Sequence, residues 1–141
     1  MKKFVYEFEK ILEFRNFEQQ QAEGELAKAL AVESEIQNNL NQIAMQFAQL
    51  KKNMKNSQSF DDVISSSQFT NLLEYQKEQL LEQLSQAKIV TEQKRDVLRE
   101  CMKKTTALEK LKEQQLAEYN AAVDFEESEY MDDLATMRNR Q

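Results

Sequence analysis

The chain contains no proline and a single glycine, Gly24. Proline costs about 3 kcal/mol in a helix interior and glycine about 1 kcal/mol. A chain of 141 residues that avoids both is free to run in very long helices. Its apolar residues lie in narrow stripes instead of blocks, which suits a coiled coil whose thin seam replaces a globular core. The expected fold is all-α: a long antiparallel two-helix coiled-coil hairpin, treated as a single domain over 1–141.

The first helix is expected over about 3–56. At alternating steps of three and four it reads Phe8, Leu12, Arg15, Gln19, Ala22, Leu26, Ala29, Glu33, Ile36, Leu40, Ile43, Phe47, Leu50 and Met54. From Ile36 onward every step is apolar, whereas Arg15, Gln19 and Glu33 weaken the earlier half. Around 57–67 the pattern breaks in a Ser-rich stretch, where Ser59 and Asp62 have the form of a capping box. The chain is expected to reverse there. A second helix over about 67–139 carries Phe69, Leu73, Leu80, Leu84, Ala87, Leu98, Cys101, Leu108, Leu111, Ala122 and Phe125, with Thr91, Lys94 and Thr105 read as interruptions. Folding the chain at residue 61 sets Phe47 near Tyr75 and Phe8 near Gln114. About twenty residues of the second helix, roughly 30 Å, then protrude beyond the first.

Charge and chemistry narrow the function. Residues 1–58 balance eight acids with eight bases, so the whole net charge of −6 lies in 59–141. Asp124, Glu126, Glu127, Glu129, Asp132 and Asp133 fall within ten residues of the protruding end. Nucleic acid is therefore not the expected partner, because phosphate binding needs clustered Lys and Arg. The chain has no histidine and no glycine-rich phosphate loop, and its one cysteine, Cys101, falls on the seam. No enzyme activity, cofactor or metal is expected. Glu7, Glu9 and Glu13 interrupt the opening apolar run, so no signal peptide is expected, and no stretch is long enough for membrane insertion. A soluble, cytoplasmic protein follows.

Three runs of residues carry a family resemblance. The opening run of Phe8, Leu12, Arg15, Glu18, Ala22, Leu26, Ala27 and Ala29 resembles the start of the flagellar FliJ family. Arg95 and Leu98, followed by Leu108-Glu109-Lys110-Leu111-Lys112-Glu113, resemble its most recognisable stretch. Tyr119 with Glu127, Asp132, Asp133, Leu134 and Ala135 resembles its closing acidic motif, with Asp133 where the family more often has Glu. The resemblance implies a component of the flagellar type III export apparatus, peripheral to the inner membrane. It also implies binding to the export ATPase (FliI-like), to the cytoplasmic domain of the export gate (FlhA-like) and to export chaperones.

Two candidate surfaces follow. Glu127, Asp132, Asp133 and Leu134, with Phe125, form the candidate ATPase-binding end, because carboxylates near a helix C-terminus oppose the dipole and unpaired apolar surface rimmed by charge marks binding. Phe4, Phe8, Leu12 and Arg15, with Tyr6 in the same aromatic cluster, are expected beside its base and complete a composite ATPase-binding site from both termini. Phe14 and Phe17 lie on another face. Beside the turn, the resemblance places Phe69 and Leu73, with Phe47, Leu50, Gln76 and Leu80, toward the export gate. The alternatives are a cytoplasmic coiled-coil chaperone or escort, and a plain scaffold that dimerises through parallel strands. The break at 56–67 and the unequal arms count against the scaffold.

Overall fold

A computed structural model describes residues 2–56 and 59–140. Ser57 and Gln58, in the middle of the expected turn, lie outside the described residues. Two helices account for nearly all of the rest: α1, Glu9–Met54, and α2, Phe60–Asn139, of 46 and 80 residues. They pack against each other as an all-α helical hairpin. The chain divides into two compact units, one of Ala22–Leu98 and one of Met1–Gln21 with Arg99–Gln141.

In the Ala22–Leu98 unit the seam follows the seven-residue period of a coiled coil. Ala22, Ala29, Ile36 and Ile43 are buried on α1, with Leu26, Leu40 and Phe47 half-buried between them. Leu73 and Ala87 are buried on α2. Leu73 is 1% exposed, and burying a side chain of that size contributes about 1.5–3 kcal/mol. Thr91, expected to interrupt the stripe, is instead 2% exposed. Its hydroxyl proton has two acceptors, the Glu33 carboxylate on α1 at 2.7 Å and the Ala87 carbonyl at 3.0 Å. A threonine whose hydroxyl is satisfied in this way packs its methyl group as a small valine would.

The other unit departs from expectation at its N-terminal side. The stripe alone predicts a helix from about residue 3, but α1 starts at Glu9, and residues 2–6 carry no regular secondary structure. Aromatic and β-branched side chains such as Phe4, Val5 and Tyr6 lose rotamer freedom in a helix. Here Phe4 and Tyr6 gain tertiary partners instead, whereas Val5 is exposed. Tyr6 is buried, and its hydroxyl donates to the Leu108 carbonyl at 2.8 Å. Lys112 lies 5.9 Å above the Tyr6 ring and pairs with Glu9 at 2.8 Å. Thr105, a second expected interruption, is 4% exposed and donates to the Cys101 carbonyl at 3.0 Å.

The start of α2 also differs from the sequence pattern. The Ser59 carbonyl accepts the Val63 N–H at 3.1 Å, and Asp61 and Asp62 occupy the first turn, where carboxylates favour the helix dipole. Ser65, Ser66 and Ser67 therefore continue a helix already begun.

Candidate partner-binding surfaces

The last internal support of α2 is Tyr119. Its ring lies 5.5 Å from that of Phe4, and its hydroxyl donates to the Lys2 carbonyl. Val123 is half-buried, and every residue from Asp124 to Arg140 is exposed. No segment of α1 lies alongside this stretch among the described residues.

An α-helix turns about 100° per residue. On that wheel Val123, Tyr130, Leu134 and Met137 share a wedge of roughly 60°, an apolar stripe that is exposed beyond the half-buried Val123. Glu126 and Asp133 border the wedge on one side and Glu127 on the other. Phe125 and Asp132, seven residues apart, occupy the opposite face, with Phe125 65% exposed. The predicted ATPase-facing residues are thus distributed around the helix. Val123, which the sequence reading passed over, belongs to the stripe.

The N-terminal candidates are largely engaged within the hairpin. Leu12 is buried, Phe8 is half-buried edge-on to Tyr6 at 5.8 Å, and Arg15 is half-buried and paired with Glu18 at 3.0 Å. Only Phe4, through Tyr119, reaches the base of the protruding end. It remains two turns below Phe125, about 9 Å along the helix from Tyr119. Phe14 and Phe17 stand more than half exposed on the outside of α1. Tyr6 and Tyr119 act through contacts across 102 and 117 residues of sequence, which no local pattern encodes.

The turn-proximal candidates divide in the same way. Leu73 is wholly buried and Phe47, Leu50 and Leu80 are half-buried, whereas Phe69 and Gln76 are exposed. Gln76 and Leu80 line a shallow groove with Ile43 and Tyr75. At this end Phe69, Gln76 and the edge of Leu80 are accessible, and the Leu73 side chain is not.

Among the described residues, no group of three His, Cys, Asp or Glu residues is placed to hold a metal ion, and no helix is long and apolar enough to cross a membrane. No curated protein and no solved structure matches the chain. A family model, described as Flagellar FliJ protein, matches residues 4–141, and with nearly its whole length covered the chain belongs to that family.

Proposed function

We propose that this chain is a non-enzymatic, stalk-like component of the flagellar export apparatus that binds the export ATPase through its protruding α2 end and couples it to the export gate. Family membership supports the setting, a flagellar export component. The observation that carries the finer reading is the stretch from Val123 to Met137, where the apolar side chains of Tyr130, Leu134 and Met137, flanked by carboxylates, are covered by no other segment among the described residues. Exposed apolar surface rimmed by charge is the usual mark of a protein-binding site. The turn-proximal end, with Phe69 and Gln76 exposed, is the surface assigned to the gate. The chain acts by binding and changes the ATPase's assembly or turnover without touching nucleotide.

The test is ATP turnover by the same organism's purified flagellar export ATPase, with the full chain and with a version ending at Tyr119. Stimulation by the full chain that disappears on truncation supports the stalk reading. Absence of stimulation by the full chain, with the ATPase demonstrably active, overturns it in favour of the chaperone or scaffold reading.

A further inference from the structure

Within the Ala22–Leu98 unit, one groove differs in chemistry from the rest of the surface. Nearly one residue in three of this chain is charged, yet no residue lining the groove is. Asn39, Gln42 and Gln46 on α1 stand across from Gln76, Gln79 and Gln83 on α2, over a floor containing Ile43 and Leu80. Both rows have the spacing i, i+3, i+7, which holds side chains on one face of a helix. All six amides are exposed, and among the described residues none is committed to a hydrogen bond within the chain.

Along α2 the same face continues at seven-residue steps as Phe69, Gln76, Gln83 and Val90. Phe69 and Val90 are both exposed. The row is a chemical palindrome, apolar at each end and amide between, centred between Gln79 and Leu80. An amide group is at once donor and acceptor, so a row of amides is complementary to itself. A row of lysines or glutamates would repel its own copy. On a chain of net charge −6, this four-residue row carries no charge of its own, and Glu82 stands beside its Val90 end.

We propose that the Phe69–Val90 face of α2 is a self-association surface that takes a second copy of this chain in antiparallel, two-fold symmetric register about the point between Gln79 and Leu80. Phe69 of one copy meets Val90 of the other, Gln76 meets Gln83, and the two-fold axis passes between Gln79 and Leu80. Such an interface is isologous and closes at the dimer. The face runs 21 residues, about 31 Å of a single helix, with a mostly polar centre. It is smaller than stable dimers need, so the dimer is a weak, reversible one. It also covers Phe69 and Gln76, so self-association and gate binding compete for the same side chains, although the dimer does not depend on the gate reading.

Sedimentation equilibrium of the full chain over a wide concentration range tests this, with helicity checked by circular dichroism. The wild type is expected to dimerise reversibly, with little dependence on salt because no ion pairs are formed or broken. Gln76→Glu with Gln83→Glu sets acid against acid at both contacts and should weaken the dimer by about tenfold or more at low salt. Gln76→Glu with Gln83→Lys sets each acid against a base of the other copy and should dimerise at least as well as the wild type. A wild type that stays monomeric up to about millimolar concentration, far above the range of specific interfaces, overturns the proposal. So does a dimer that treats the two double variants alike.

Discussion

The Thr91 hydroxyl lies 2.7 Å from a Glu33 carboxylate oxygen across the seam of the Ala22–Leu98 unit, joining the two helices through a polar contact where most neighbouring layers are apolar. A polar pair at a seam position costs stability relative to apolar packing but penalises every register that separates its members. The adjoining layers use small residues, Ala29 and Ala87 among them, which discriminate weakly between registers. The pair therefore acts as a pin for the hairpin. Thr91→Val should destabilise the chain by about 1–2 kcal/mol, because Glu33 is left half-buried without its donor. Glu33→Leu together with Thr91→Val should recover that loss and exceed the wild type. Urea unfolding of the three variants checks both signs, and a double variant no more stable than Thr91→Val alone would refute the pin.

The N-terminal segment is held against α2 chiefly by Tyr6. Tyr6→Phe keeps the buried ring and removes only the bond to the Leu108 carbonyl, so a loss of about 0.5–1.5 kcal/mol is expected. Glu9→Gln, which weakens a partly exposed ion pair with Lys112, should cost less than about 1 kcal/mol. Thermal unfolding of both variants should rank them in that order.

Gly24 sits in the interior of α1, with nothing within 4 Å of the position an added Cβ would take, and its φ is not positive. No turn or close approach requires glycine there. Gly24→Ala should stabilise the chain by about 0.5–1 kcal/mol through lower unfolded-state entropy and better helix propensity. A rise in the urea midpoint without a change in slope is the expected reading.

Tyr130→Ala and Leu134→Ala remove side chains that touch no other segment of the chain, so unfolding free energies should move by no more than about 0.5 kcal/mol. Stimulation of the export ATPase should nonetheless fall. A matched loss of stability would mean that the stripe is covered from within, against the exposure seen here.

Much of the hairpin was legible because a coiled-coil seam is a local, periodic code. Each α1 position from Phe8 to Leu50 on the predicted stripe is buried or half-buried, including polar Arg15, Gln19 and Glu33. The threonines of α2 were harder, since a hydroxyl reads as polar until its carbonyl partner one turn earlier is known. The start of α1 was illegible for a different reason: Tyr6 is placed by Leu108, which is remote in sequence. Of the candidate sites, the unpaired end was visible as surplus length and charge. The burial of Leu73 and Leu12 was not separable from function, because apolar residues beside a turn or a terminus pattern alike whether they face a partner or the seam.

The six carboxylates between Asp124 and Asp133 point in nearly every direction from the axis of α2, with no angular gap wider than about 100° at 100° per residue. The widest gap is filled by Tyr130 and Leu134. A protein that met this end from one side would leave half of those groups facing water. A socket closed around it would engage them all, with the Tyr130 and Leu134 stripe marking one apolar azimuth among them. Loss of any one carboxylate should then be felt weakly, and loss of those on opposite sides should add.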